Sequence, residues 1–196
     1  MKENETSLGV ARITELFTRD GRYLCARWGR PVAPVIFGLS DESLAIFREA
    51  TRAVYHHAGH PLAETDPEMG ANMMTFFLRG WDELAGVPDL DRLTGRPDLP
   101  ARLRAQGADQ YRLFRFDPDG AIRVCISFVN MGGRLADAHP GQLAETIAVR
   151  STLTFACDVV PGPQLAVLIR AAYDPVLPKV AQDPSHALRL AARLAN

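Results

Sequence analysis

The sequence predicts an α+β fold: a small mixed or antiparallel sheet, ending in a C-terminal hairpin pair of strands, packed against several helices. Three observations predict it. Strand-like segments come first along the chain and helical periods last, which favours α+β over a doubly wound sheet. A strand-turn-strand pattern surrounds Asp117-Pro118-Asp119-Gly120. The 196 residues also suit one domain spanning 1–196, since a globule of this size buries roughly 70% of its unfolded surface.

Taken in order, Val10, Ile13, Leu16 and Phe17 recur at near-helical spacing before the turn signal Asp20-Gly21, so the first element is a short amphipathic helix. Residues 30–38 (RPVAPVIFG) are β-branched and aromatic, but Pro31 and Pro34 remove ladder donors, which predicts an edge strand. Ser40 is a natural N-cap, with Asp41 and Glu42 where the helix dipole favours negative charge. That helix carries an inward stripe of Leu44, Phe47, Thr51, Val54 and Tyr55 to about His57, and Gly59 with Pro61 stops it. Residues 72–78 (NMMTFFL) form the next strand. Residues 80–109 show no sustained period and read as a long excursion with one short helix.

Residues 111–116 and 122–129 alternate around a Pro- and Gly-bearing turn and make the hairpin, with Ile122, Val124, Ile126 and Phe128 on one core-facing side. Helices follow over about 141–155, over the i, i+3, i+4, i+7, i+8 set Leu165, Leu168, Ile169, Ala172 and Tyr173, and over about 185–195.

The composition excludes several classes. A hydrophobic share of 47%, a charged share of 23% and a net charge of −1 match an average globular domain. The densest basic run, Arg92, Arg96, Arg102, Arg104, Arg112 and Arg115, is interleaved with Asp89, Asp91, Asp98 and Asp109. Its local field is therefore expected to cancel, and no nucleic-acid partner is expected. Cys25, Cys125 and Cys157 form neither a disulfide framework nor a C-x-x-C pair, and buried thiols are expected. No apolar run reaches the ~20 residues of a membrane span, and the first residues lack the order of a secretory signal. The default location is cytoplasmic, or periplasmic if a leader was removed.

The most suggestive local motif is His56-His57-Ala58-Gly59-His60, because histidines at i and i+4 on a helix can reach one zinc ion. It resembles H-E-x-x-H without the glutamate that activates metal-bound water. Gly59 also ends the helix before His60, so a polar helix terminus is the plainer reading. A third ligand would come from Glu64, Asp66, His139 or His186. No G-x-S-x-G elbow exists, and Met131-Gly132-Gly133-Arg134 lacks the context of a phosphate loop.

Four stretches resemble an uncharacterised proteobacterial family, domain of unknown function 2927, whose architecture is related to the zincin metallopeptidases. They are Arg27-Trp28-Gly29-Arg30-Pro31-Val32, Ala58-Gly59-His60-Pro61-Leu62, Ala71-Asn72, and Leu168-Ile169-Arg170-Ala171-Ala172-Tyr173-Asp174-Pro175. The resemblance implies that Leu143-Ala144-Glu145-Thr146-Ile147-Ala148 corresponds to a zincin's zinc-binding helix. Laying Glu145 on the motif glutamate makes both ligand positions alanines, Ala144 and Ala148.

The leading expectation is a non-catalytic, zincin-like binding or structural module with no cofactor, whose partner is a protein or a small ligand. The alternative is a divergent zinc-dependent hydrolase or peptidase using His56, His60 and Glu64, with Glu145 as its catalytic residue. A third reading places a ligand on the Met-bearing segment with Met69, Met73, Met74, Phe76 and Phe77, where core packing is the commoner role of such residues.

Overall fold

The computed structural model describes residues 8–195. Helix α1 (Val10–Leu16) buries Ile13 and Leu16, as their spacing predicts. Asp20 and Gly21 both adopt positive φ, 51° and 73°, in the turn joining β1 (Thr18–Arg19) to β2 (Arg22–Tyr23). Strand β3 (Cys25–Ala26) pairs antiparallel with a short strand near the other end of the chain. Two-residue strands are too short to show alternation, and the sequence reading did not contain them.

Strand β4 (Pro34–Phe37) is an edge strand, as its prolines predict. It leads into α2 (Asp41–Ala58), which Ser40 caps by accepting from the Ser43 N–H at 3.4 Å. Gly59 ends α2 in a left-handed conformation, φ 71°, and a side chain there would meet the Arg170 guanidinium at 2.6 Å. Strand β5 (Met73–Leu78) returns parallel to β4.

The excursion differs from expectation. It holds three short helical pieces rather than one: a 3-10 turn (Trp81–Gly86), α3 (Leu90–Thr94) and α4 (Leu99–Ala105). None is long enough to display a period. Burial of Trp81, Leu84, Leu90, Leu99 and Leu103 against the sheet holds them instead.

The predicted hairpin is β6 (Gln110–Phe116) and β7 (Ile122–Asn130), with the Gly120 N–H donating to the Asp117 carbonyl at 2.8 Å. The four-stranded sheet has the order β4-β5-β7-β6, parallel except for β6. Val124, Ile126 and Phe128 face the excursion helices. The opposite side of β7 is buried too: Val129 meets Phe47, Phe77 and the next helix, α5 (Pro140–Thr152). A central strand covered on both faces loses the polar half of its alternation.

Helix α6 (Pro163–Ala172) ends at Tyr173 before Asp174-Pro175, as expected. Strand β8 (Val180–Ala181) is the partner of β3, and α7 (His186–Leu194) closes the chain. Leu165, Leu168, Ile169 and Leu190 share a core with Ile13, Leu16 and Phe17, so α1, α6 and α7 form one packed unit. The cysteines are all free, but only Cys25 and Cys125 are buried; Cys157, in the loop between α5 and α6, is exposed. Among the described residues no helix is long and apolar enough to cross a membrane.

Candidate functional site

The two i, i+4 histidines part company at the end of α2. His56 is exposed, whereas His60 leaves the helix after Gly59 with its N–H bonded to the Tyr55 carbonyl at 3.0 Å. The His60 ring packs against Tyr173, with centroids 5.2 Å apart, and its Nε2 lies 2.8 Å from the Arg30 carbonyl. A carbonyl only accepts, so Nε2 carries the hydrogen and Nδ1 is left as the ring's lone-pair nitrogen. His57 is engaged in the same way, 2.9 Å from the Ala166 carbonyl.

The other candidates do not join them. Glu64 is exposed, and Asp66 accepts from the Glu68 and Met69 N–H groups and from Asn72. Glu145 is exposed on α5 and lines an apolar groove of about 570 Å³ between α2, α5 and α6, with His57 on its wall. Ala144 and Ala148 are 1% and 2% exposed, and Ala144 packs on Phe47, Phe77 and Val129. Among the described residues no three His, Cys, Asp or Glu side chains converge as a metal site. The residues present do not fit zinc, which takes three or four converging ligands.

The four stretches that carry the resemblance meet in space. From 27–32, Trp28 Nε1 donates to the Ser151 carbonyl at 2.8 Å, and the Arg27 guanidinium lies 5.7 Å from the Tyr173 ring centre. Tyr173, from 168–175, donates its hydroxyl to the Thr152 carbonyl at 2.7 Å. Asn72, fully buried, accepts from the Ala33 N–H at 2.8 Å and donates to the Pro31 carbonyl at 2.9 Å and to Asp66 Oδ2 at 3.0 Å. Arg30 adds ion pairs to Asp66, Glu68 and Asp117. These polar groups are consumed in fixing the 27–33 segment against β5 and α5. Sequence reasoning missed this network because its members lie far apart along the chain; a polar Asn opening an apolar strand was the available signal.

A different concavity carries a distinctive chemistry. A groove of about 490 Å³ runs beside the open edge of β6, bounded by β1, β2, the α3–α4 connection and the C-terminal end of α5. Six arginines line it, Arg19, Arg22, Arg96, Arg112, Arg115 and Arg150, and its described lining contains no Asp, Glu, His, Cys or Ser. The expected cancellation of the basic run therefore fails here. Arg96, Arg112 and Arg115 come together with arginines from distant segments, while Asp109 turns away to bind Arg134 at 2.7 Å. The Thr154 hydroxyl donates to the Leu24 carbonyl and the Thr94 hydroxyl to the Leu90 carbonyl, so neither is poised as a nucleophile.

The buried titratable groups support stability rather than reactivity. Burial pushes the Cys25 and Cys125 thiols up to about 12 and about 11, so both stay protonated. Burial lowers the pKa of His60 and of His186, the latter further opposed by Arg189 and Arg193. Unfolded imidazoles titrate near ~6.5, so below that pH the unfolded chain binds more protons and stability falls. The urea midpoint is expected to drop between about pH 7.5 and about pH 5.5, and His186→Gln should flatten that slope. An unchanged slope in the variant would show that His186 is not responsible.

Met73 and Phe77 are core residues and Met74 and Phe76 are partly buried beside the excursion helices, so these four are spent on packing, whereas Met69 is exposed. Comparison with known proteins returns no matching family model, no matching curated protein and no matching solved structure.

Proposed function

We propose that this chain is a non-catalytic binding module on a zincin-like scaffold of the domain of unknown function 2927 type, with the groove beside β6 as its ligand site. The observation that carries the reading is the lining of that groove, where arginine stands in place of any acid, base or nucleophile. A guanidinium remains protonated at neutral pH, so it binds and orients anions but does not shuttle protons. Packing supports the scaffold assignment: two of the stretches that carry the resemblance reach α5 through Trp28 and Tyr173, Ala144 packs against Phe47 of α2 and against the sheet, and Ala148 is buried. The default cytoplasmic location belongs to this reading too.

The hydrolase alternative uses His56, His60 and Glu64, whose side chains are respectively exposed, bonded to a backbone carbonyl, and exposed. Casein-derived peptides and nitrophenyl esters, offered with and without added zinc, decide between the two. No turnover above buffer is expected. Zinc-dependent turnover lost in His56→Ala and His60→Ala would establish the alternative instead.

A further inference from the structure

The groove beside β6 concentrates more positive charge than its surroundings neutralise. Among the described residues, Asp158 is the one carboxylate that pairs with any of its six arginines, 2.6 Å from Arg150. Arg115 bonds the Leu93 carbonyl and Arg19 the Ala156 carbonyl. Arg22 and Arg96 are exposed, with no side-chain hydrogen bond or ion pair among the described residues.

Arg112 stands out. Its guanidinium lies 5.0 Å from the Phe114 ring centre and donates to the backbone carbonyls of Arg150 and, at 3.0 Å, Phe155. Carbonyl oxygens satisfy donors but leave the charge uncompensated. Burial brings the pKa of Arg112 down to about 10, and Arg150 and Arg19 add repulsion that Asp158 offsets in part. A recessed cation that no carboxylate contacts directly is unfavourable in the free fold, and such arrangements cluster where a ligand is to be bound. The planar guanidinium fork matches the paired oxygens of phosphate and carboxylate.

Charge outside the groove is handled differently. Arg134, for example, is paired with Asp109 and Arg104 with Asp82. Its volume of about 490 Å³ lies within the range of small-molecule sites. Tyr111, Phe114 and Phe116 of β6 supply apolar wall for a carbon skeleton.

The geometry points to the β6 groove as a site for a small polyanion bearing at least two phosphate or carboxylate groups, held by Arg112 and Arg150 within and by Arg22 and Arg96 at the mouth. This rests on the reading of the chain as a binding module and adds the class of its ligand. Calorimetric titration of the full chain at low ionic strength with tripolyphosphate, citrate and, for comparison, acetate tests it. At least one polyanion is expected to bind at a single site, more tightly than acetate and less tightly as salt is raised. Binding of tripolyphosphate alone identifies a phosphoryl ligand, and of citrate alone a polycarboxylate.

Arg112→Gln is expected to weaken binding by about tenfold or more. The double variant Arg22→Gln/Arg96→Gln removes exposed side chains without internal partners, so it keeps the fold and decides the matter if Arg112→Gln does not fold. It should weaken binding by about threefold or more. Failure of both polyanions to bind, or wild-type affinity in the folded variants, overturns the proposal. Either failure leaves the non-catalytic reading standing, which hydrolysis or bound zinc would defeat instead.

Discussion

Replacing Asn72 with alanine should lower the unfolding free energy by about 3 kcal/mol, among the largest losses expected from one residue of this chain. The side chain is fully buried and makes three hydrogen bonds, to the Ala33 N–H, the Pro31 carbonyl and Asp66. Truncation leaves a donor, an acceptor and part of a carboxylate without partners in a site too enclosed for water to replace them easily. Asn72→Asp is a sharper probe of the same network. It keeps the acceptor for Ala33 but sets a second carboxylate against Asp66, so it should destabilise at least as much at neutral pH and recover as the pH is lowered. Urea denaturation followed by circular dichroism across pH measures both. A loss within about 0.5 kcal/mol for Asn72→Ala, the range of an ordinary surface change, would show that the network does not hold the 27–33 segment.

Ala144→His should also cost about 3 kcal/mol, and the cost should not be recovered by zinc. The new imidazole has to enter a space already filled by Phe47, Phe77 and Val129, and it brings polar nitrogens into an apolar cluster. Ala148, 2% exposed, is expected to behave alike. If these positions were instead vacated ligand sites, the double variant Ala144→His/Ala148→His would acquire metal, and its melting temperature would rise on adding zinc. Thermal unfolding with zinc and with chelator separates the two outcomes: equal midpoints agree with packing, and a zinc-dependent rise contradicts it.

The long elements were legible because each advertises itself locally. Ser40, Asp41, Glu42 and Gly59 bracket α2, and Asp117–Gly120 turns β6 into β7. What escaped depends on partners distant along the chain. Strand β3 takes its place from β8, and the helices between β5 and β6 are set by Trp81, Leu84, Leu90, Leu99 and Leu103 meeting β7. Neither leaves a period in its own segment. Strand β7 hid its second buried face for a related reason, since Cys125 and Ser127 look like ordinary alternation, yet both are buried, Cys125 in a cluster with Trp28 and with Tyr55 of α2.

The candidate site was legible in one respect. Gly59 was read as ending α2 before His60, and its left-handed conformation does so. The groove beside β6 was not legible. Along the sequence each of Arg96, Arg112 and Arg115 has an aspartate nearby, so charge appears balanced in any local window. In space, Arg19, Arg22 and Arg150 arrive from elsewhere, while Asp109 is drawn to Arg134. Balance along a chain does not imply balance across a surface, because alternation on a strand and the path of loops separate neighbours of opposite sign.

The most direct test of the account is the zinc content of the full chain, purified without a histidine tag, dialysed against excess zinc and then against buffer, and measured by elemental analysis. A chain whose described residues bring no three His, Cys, Asp or Glu side chains together is predicted to retain only trace zinc. Near-stoichiometric zinc that disappears in His56→Ala/His60→Ala would contradict it and make the chain a metalloprotein.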